Sequence, residues 1–320
     1  MPTLPRKLKV LIACALLAAL ALGVDWHEVP THLARLNWQL GAVAMLVVAL
    51  ELPVNAWKWS WSLRLHDRRF TWLYLFRTGC YGFFFNNFLP SAIGGDVYRI
   101  VRTSGTAPGE RSSAVSAVLV ERMVGLAAML LNGLAGAALL AGTNELATWY
   151  VNFALPAIAG AAALGLMLWA GAFRRPRERL FRIRALEPVQ DNLRRIARPR
   201  LEWLPLIATS FLFQFLAAAV VYLAFAGIGA PIPVAAALLI TAAAGIASVL
   251  PISISGIGVV EGSIAGTAVA LGVNYESGVL AALIVRLVVL PVSAACGLMY
   301  LAQPERLATE KSGPVQTPHA

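Results

Sequence analysis

Long apolar blocks separated by short polar segments run along almost the whole sequence. There are about nine such blocks, each near or above the ~18–20 residues that a helix needs to cross the hydrocarbon core of a bilayer. The largest polar segment, 173–202, is too short for a soluble catalytic domain, which usually has about 50–250 residues. The pattern therefore predicts an all-α polytopic membrane protein with a single membrane domain over residues 1–320.

Composition agrees with this interpretation and excludes three other classes of protein. Hydrophobic residues make up 59% of the chain and charged residues only 13%, against roughly 25% charged in a typical soluble domain. These values exclude a soluble globular enzyme, a disordered tail and a nucleic-acid-binding protein. The three cysteines lie in apolar blocks and the four histidines are scattered. We therefore expect no disulfide framework, metal site or cofactor.

The positive residues indicate how the helices are oriented. Of the 26 Lys and Arg, 22 fall in five segments that can all be assigned to one side, while the opposite side receives only Arg35. Such an excess marks the cytoplasmic side. We therefore expect a multi-pass protein of a bacterial-type cytoplasmic (inner) membrane with both termini in the cytoplasm. The five segments are 1–9, 58–69, 91–112, 173–202 and 303–320.

Three of these segments carry further expectations. Segment 173–202, with ten Arg, is interpreted as a basic cytoplasmic loop that contacts anionic lipid headgroups, and 303–320 as a short cytoplasmic tail. The basic start of the chain, followed by an apolar block at 8–24, also fits a cleavable signal peptide. We expect the first helix to be retained, as is common in polytopic proteins.

The charges also indicate that one apolar block does not cross the membrane. Segments 58–69 and 91–112 are both assigned to the cytoplasm, so block 73–89 between them must enter and return, or lie buried against other helices. Irregular backbone at membrane depth is tolerated only where protein or a water-filled cavity surrounds it. A re-entrant segment near 73–90 is therefore a candidate for the working site. The preceding span, 38–61, ends in three Trp beside Lys58, which is typical of a helix end at the headgroup layer.

A second broken segment near 233–272 repeats the first. Each break has Leu-Pro, then glycines and an acidic residue, and an Arg inside an apolar block 25 or 26 residues after the acid. Paired interruptions of this kind indicate a transporter-type binding site. We therefore predict about six full spans plus two broken helices that form candidate halves of an inverted repeat. The breaks contain Pro90, Gly94, Gly95, Pro251, Gly256 and Gly258, the acids are Asp96 and Glu261, and the arginines are Arg122 and Arg286.

The charged residues in the apolar blocks are the candidate site. An Arg at the centre of a membrane helix costs at least ~2.5–3.5 kcal/mol, so it should face the protein interior and have a partner. Arg122 and Arg286 are predicted to hold a phosphate, with Asp96, Glu121 and Glu261 positioning them or contacting a cationic headgroup. The alternative is that both arginines form structural ion pairs with these acids. Adjacent residues point about 100° apart on a helix, so Glu121 and Arg122 should meet different segments.

Two further features have less specific interpretations. Glu51, with Pro53 and Asn55, is interpreted as marking a kinked helix in contact with its neighbours. Arg99 and Arg102, three residues apart, either anchor the chain on anionic lipid or contact the substrate.

Several ordered motifs resemble the lysylphosphatidylglycerol synthase transmembrane family, also called the flippase-like domain. They are Asn87-Phe88-Leu89-Pro90, Gly94-Gly95-Asp96 with Arg99, Glu121-Arg122 with Gly125, and Pro251 followed by Gly256-Ile257-Gly258 and Glu261. The resemblance covers about residues 8–302 and implies re-entrant helices and the movement of aminoacylated phosphatidylglycerol between leaflets. It assigns site residues to Asn87, Asp96, Arg99, Glu121, Arg122 and Glu261. Synthase members carry a soluble transferase domain, so we expect that this chain alone does not make the lipid.

We therefore expect a lipid flippase or transporter that moves a polar or aminoacylated phospholipid, or a lipid-linked sugar, between leaflets of the cytoplasmic membrane. An intramembrane enzyme or accessory subunit acting on lipid-linked sugars is the alternative, and an ion or small-solute transporter is a third. The partner expected is a membrane phospholipid or lipid-linked substrate, and a homodimer is plausible.

Overall fold

The computed structural model describes residues 36–88, 94–105, 109–156, 201–249 and 255–302, together with positions 15, 18, 20, 22 and 24. Across these residues the secondary structure is helical, with no strand. The helices are α1 Trp38–Leu65, α2 Trp72–Phe88, α3 Gly94–Thr103, α4 Glu110–Leu140, α5 145–156, α6 Trp203–Gly227, α7 Val234–Val249, α8 Val259–Ala270 and α9 Tyr275–Leu301.

Four of these helices are long and apolar enough to cross a membrane, namely α1, α4, α6 and α9, while α7 and α8 are shorter apolar helices. The prediction of an all-α polytopic membrane protein is thereby confirmed. The predicted spans at 8–24 and 148–172 lie largely outside the described residues, as do the basic loop at 173–202 and the tail at 303–320.

One end of the molecule is defined by contacts between the end of α1 and the start of α4. The Ser62 hydroxyl donates to the Ala117 carbonyl at 2.6 Å, and Arg68 Nη1 lies 3.4 Å from Glu110 Oε1. Tyr74, at the start of α2, packs into the same cluster as Ala117. We call this the basic end. It brings segment 58–69 and the start of α4 together, as the charge distribution predicts.

Helices α2 and α3 form a hairpin that returns to the basic end. The Tyr74 hydroxyl donates to the Arg102 carbonyl at 2.6 Å, the Tyr81 and Tyr98 rings meet edge to face, and Gly95 N donates to Asn86 Oδ1 at 2.9 Å. Residue numbers rise on one helix as they fall on the other, so the two helices are antiparallel. Block 73–89 is thus one arm of a helical hairpin. The returning arm, α3, lies within segment 91–112, which the charge distribution had assigned to the cytoplasm, so that assignment is wrong for α3. Pro90 lies outside the described residues.

Glycine allows the two arms of this hairpin to meet. A Cβ added at Gly95 would lie 2.2 Å from the Gly82 carbonyl oxygen and 2.7 Å from Asn86 Oδ1. Small residues at helix contacts allow backbones to approach closely in membrane proteins. Gly95 of the first break therefore lets the two arms of the hairpin pack closely.

Helices α7 and α8 form a second hairpin that starts from the opposite end. Near the start of α7, a Cβ added at Gly136 of α4 would lie 2.4 Å from the Ala235 carbonyl oxygen. At the end of α8, Asn144 Nδ2 donates to the Ala270 carbonyl at 2.8 Å. Because Asn144 follows α4 directly, both contacts lie at the end away from the basic end.

The turn into α8 contains two glycines in the left-handed region. Gly256 has φ +72° and Gly258, the N-cap of α8, has φ +82°, a conformation that favours glycine. The predicted glycine break at 233–272 is therefore present, and Pro251 lies outside the described residues. The two hairpins thus enter the helical bundle from opposite ends.

The course of α1 differs from the sequence expectation. The helix begins after Asn37, whose side chain accepts from the backbone N–H groups of Gln39 and Leu40, and it continues to Leu65. Lys58 therefore does not lie in a loop at the headgroup layer but inside the helix, and it is buried. The Trp cluster misled the prediction because Trp59 is also buried, in the interior of the bundle.

Candidate substrate-binding cavity

A polar cavity of about 480 Å³ lies between the two hairpins. All described helices except α5 contribute to its wall, so it is built by contacts between residues distant in the sequence. Three acids and three bases line it among mainly apolar side chains. They are Glu51 and Lys58 from α1, Asp96 and Arg99 from α3, and Glu121 and Arg122 from α4.

Glu121 connects two cations from different helices. Its side chain is only 4% exposed and accepts from Arg99 Nη2, while Lys58 Nζ lies 3.3 Å from Oε1. The Arg99 guanidinium also lies 3.5 Å from Asp96 Oδ1. Buried charges are tolerated when they are paired and hydrogen-bonded. Glu121 therefore joins α1, α3 and α4 around the cavity.

Aromatic rings cover the two cations that Glu121 holds. The Arg99 guanidinium lies 4.2 Å from the centre of the Trp59 ring, and Lys58 Nζ lies 4.8 Å from the centre of the Phe213 ring. The negative face of an aromatic ring attracts a cation, most strongly where water is excluded. These rings hold the cations in place without adding negative charge to the cavity.

Arg122 is the most accessible cation of the cluster. Its Nε and Nη2 donate to Asp96 Oδ2 at 2.9 and 2.5 Å, yet its side chain is 52% exposed, against 12% for Asp96. A guanidinium has five N–H donors, so this pairing leaves donors for a ligand. Because Arg suits bidentate phosphate recognition, Arg122 can both hold Asp96 and meet an anion in the cavity.

The separation of Glu121 and Arg122 follows the sequence argument. Glu121 pairs with Lys58 and Arg99, whereas Arg122 pairs with Asp96. The pairing of Arg122 with an acid was the structural alternative stated above. Its half-exposed side chain at the cavity wall distinguishes Arg122 from a fully buried structural arginine.

Asn86, rather than its neighbour Asn87, lies at the cavity. Asn87 Nδ2 donates to the Phe83 carbonyl of its own helix at 3.0 Å, and Asn87 is not among the residues that line the cavity. Asn86 lines the cavity and accepts from Gly95 N. The motif therefore selected the residue next to the one that lines the cavity.

Glu261 and Arg286 form a separate ion pair. Arg286 Nε donates to Glu261 Oε1 at 2.6 Å, and Glu261 Oε2 accepts from Gly258 N at 2.7 Å. Neither side chain is among those lining the polar cavity. Glu261 instead borders an apolar groove of about 730 Å³, whose wall includes Leu20 and Trp38. The structure therefore does not place the second arginine beside Arg122.

Sequence reasoning missed three cavity residues on α1. Glu51, Asn55 and Lys58 all line the cavity, where the sequence had suggested a kink contact and an interfacial anchor. Residues separated by three or four positions share one face of a helix. That spacing was a usable signal, because all three are polar within an otherwise apolar span.

Metal-binding groups and reactive cysteines are the other chemistry to consider among the described residues. Across the described part of the chain, no group of three or more His, Cys, Asp or Glu could hold a metal ion. Cys80 of α2 and Cys296 of α9 are buried free thiols in one hydrophobic cluster. The chemistry of the site thus rests on ion pairs, glycine contacts and the accessible guanidinium of Arg122.

Comparison with known families identifies the kind of membrane domain. The family model described as the lysylphosphatidylglycerol synthase TM region matches residues 7–297. No curated protein matches the chain. The family match includes both hairpins and all the residues that line the polar cavity. The chain belongs to the lysylphosphatidylglycerol synthase transmembrane-region family.

Proposed function

We propose that this protein is a lipid flippase or transporter of the cytoplasmic membrane. Its substrate is a polar or aminoacylated phospholipid, or a lipid-linked sugar, whose phosphate binds Arg122. The observation that carries this proposal is the half-exposed side chain of Arg122, which lines a cavity between helices. An accessible arginine inside a membrane domain is costly, and such residues mark substrate pathways.

The cavity has the size and chemistry for a headgroup rather than for a whole lipid. Its volume of about 480 Å³ falls within the ~300–1,000 Å³ range of ligand pockets. Arg122 would bind the phosphate, Asp96 would orient Arg122, and the acyl chains would remain in lipid. Asp96, Arg99 and Glu121 keep the cluster in a fixed arrangement whether or not a headgroup is present.

The two hairpins suggest how the cavity is reached from each side. One enters from the basic end and the other from the opposite end, and both contribute to the cavity wall. Rocking of one half against the other would open the site to each leaflet in turn, as in transporters with paired broken helices. With the basic end in the cytoplasm, residues 173–202 would meet anionic headgroups there. A homodimer in the membrane is compatible with this mechanism.

Reconstitution tests the proposal. The purified protein is placed in vesicles that contain headgroup-labelled fluorescent phosphatidylglycerol, and leaflet exchange is followed by quenching the outer leaflet. Removing charge-assisted hydrogen bonds costs about 1.5–3 kcal/mol, so Arg122→Ala should slow exchange by roughly tenfold to a hundredfold. Arg111→Ala removes an exposed arginine outside the cavity and should exchange lipid at the wild-type rate.

Two outcomes would contradict the proposal. Equal exchange by wild type, Arg122→Ala and protein-free vesicles would remove the transport function. A covalently altered lipid, detected by mass spectrometry after incubation with the protein, would instead favour the intramembrane enzyme. Lipid-linked sugars and aminoacylated phosphatidylglycerol in the same assay would separate the substrate classes.

A further inference from the structure

Glu51 differs from the other acids of the cavity. Asp96 and Glu121 are paired with cations, whereas Glu51 makes no ion pair or hydrogen bond with a described residue although it lines the cavity. It also lies at the middle of the 28-residue helix α1, which is long and apolar enough to cross the membrane. An unpaired ionised carboxylate at that depth is unfavourable, and a proton removes its charge.

The charged groups that face Glu51 can be counted from the helices packed around it. On α1, Lys58 lies on the same face, two turns away. Helix α3 contributes Asp96 and Arg99 to the cavity, and α4 contributes Glu121 and Arg122. Helix α6 contains no charged residue. Helix α7 also contains none. The other charged residues of the helices around the cavity are not among those lining it; they are Arg64, Arg77, Arg102, Glu110, Arg111, Glu261, Glu276 and Arg286.

This count makes the net charge of the cavity depend on one proton. Lys58, Arg99 and Arg122 oppose Asp96 and Glu121, which leaves one positive charge when Glu51 is neutral. When Glu51 is ionised, the cavity has no net charge. A neutral Glu51 therefore favours binding of one monoanion, such as a phosphodiester headgroup, and ionisation of Glu51 favours its release.

We infer that Glu51 is a proton-binding site and that the protein moves one proton together with one phosphodiester anion. The inference rests on the proposed function and adds its driving ion. A proton from water binds a Glu51 carboxylate oxygen on the side where the cavity is open, as the headgroup phosphate binds Arg122. Both leave on the other side. The loaded cavity and the empty cavity with ionised Glu51 are both neutral, so neither moves net charge across the membrane.

Electroneutral transport predicts which gradient the lipid follows. In vesicles with fluorescent phosphatidylglycerol, a pH difference should shift wild-type lipid toward the alkaline side. For one proton per lipid, the leaflet ratio is about tenfold for each pH unit. A potassium diffusion potential at equal pH should leave the leaflet ratio unchanged.

The Glu51→Gln variant should respond to the membrane potential instead of the pH difference. Glutamine fixes the neutral form, so the empty cavity keeps its positive charge and carries it when it returns. The leaflet ratio of this variant should ignore the pH difference and follow the membrane potential, at up to about tenfold for each 59 mV. Loss of a merely structural contact would slow exchange without making it electrogenic. Glu51→Asp keeps an ionisable group and should keep the response to pH.

Glu145→Gln provides the matched control. Glu145 is an exposed carboxylate at the start of α5, outside the polar cavity, and its removal should leave the pH response intact. A second measurement does not require transport. The measurement is made over a series of pH values at which Glu51 is ionised in the empty protein. Wild type in detergent should then take up about one proton for each short-chain phosphatidylglycerol bound. Glu51→Gln should take up none.

The outcomes separate this inference from the proposed function. If wild type exchanges lipid but its leaflet ratio ignores the pH difference, or if Glu51→Gln follows that difference like wild type, Glu51 is not the proton site and the flippase assignment stands. If the protein moves no lipid, the proposed function and the coupled movement both fail, and proton uptake on binding decides only whether Glu51 is a proton-binding site. Absence of both binding and movement overturns both.

Discussion

The two helical hairpins share a sequence pattern but use their charged residues differently. In the hairpin of α2 and α3, Asp96 and Arg99 form ion pairs with α4, beside the polar cavity. In the hairpin of α7 and α8, Glu261 bonds the N–H of Gly258 at the start of its own helix and the arginine of the next helix. The first set of contacts joins several helices around a cavity, whereas the second fixes one helix end.

The exposure of the two arginines shows what this difference means. Arg122 is 52% exposed and Arg286 is 22% exposed, although each is paired with one carboxylate. A buried ion pair satisfies its own groups and is weak evidence of function. An arginine beside a cavity that uses two of its five N–H donors in an ion pair can also bind a ligand with the others. The proposed substrate contact is therefore placed at Arg122, beside the first hairpin, and the pair of Glu261 and Arg286 is interpreted as a packing contact.

Replacing Glu121 or Glu261 with glutamine should give the largest difference in stability between the two sets of contacts. Glu121→Gln leaves Lys58 and Arg99 without their shared counter-ion, and breaking a buried pair from one side costs about 3–5 kcal/mol. Glu261→Gln keeps an oxygen for Gly258 N and leaves a partly exposed Arg286, so a smaller loss of about 1–3 kcal/mol is expected. Thermal unfolding in detergent measures both. Equal losses would mean that Glu121 does not connect the helices as described.

Closing the space between α2 and α3 should have the next largest effect. In Gly95→Ala the new Cβ meets the Gly82 carbonyl oxygen, which belongs to backbone and cannot rotate away. Overpacking of this kind costs about 1–3 kcal/mol, and separation of the hairpin arms would displace Asp96. We expect lower thermal stability and slower lipid exchange in vesicles. Unchanged stability and exchange would show that the hairpin does not require this close contact.

The sequence predicted that block 73–89 is not a single crossing, because charge assignment is a count and needs no knowledge of packing. It did not predict that α3, within the segment assigned to the cytoplasm, is the second arm of the hairpin. It also identified the partners of Arg122 and Arg286 among the acids considered. The location of Lys58 could not be found in the same way. The residue lies near three Trp, and only the packing of α1 against α4 shows that it reaches Glu121.

That Arg122 and Arg286 lie at different sites could also not be predicted from the sequence. Spacing within a helix fixes which residues share a face, but it does not fix which neighbouring helix that face meets. Arg122 and Arg286 follow similar motifs, and only the structure shows that Arg122 lines the polar cavity while Arg286 does not. The choice of Asn87 over Asn86 has the same origin, because adjacent residues point in different directions.

Replacing Arg122 or Arg286 with alanine should affect stability and lipid exchange to different extents. Arg286→Ala leaves Glu261 buried without its cation, which a proton can partly relieve, so we expect a loss of stability of about 1–2 kcal/mol. Arg122→Ala should lower stability by less than about 1 kcal/mol, because the half-exposed side chain is partly screened, yet it should slow lipid exchange most. Unfolding and exchange are measured on the same preparations. If Arg286→Ala slows lipid exchange as strongly as Arg122→Ala does, and loses less stability than expected, the second hairpin also binds substrate.

The smallest effect is expected at Gly266 of α8, where there is room that Gly95 of the first hairpin lacks. A Cβ added at Gly266 would meet no atom within 4 Å, and glycine within a helix costs roughly 0.5–1 kcal/mol relative to alanine. Gly266→Ala should therefore raise stability by up to about that amount and leave lipid exchange at the wild-type rate, in contrast to Gly95→Ala. A loss of exchange without a loss of stability would mean that α8 must bend or move at Gly266 during transport, and the second hairpin would then be a moving part rather than a packing element.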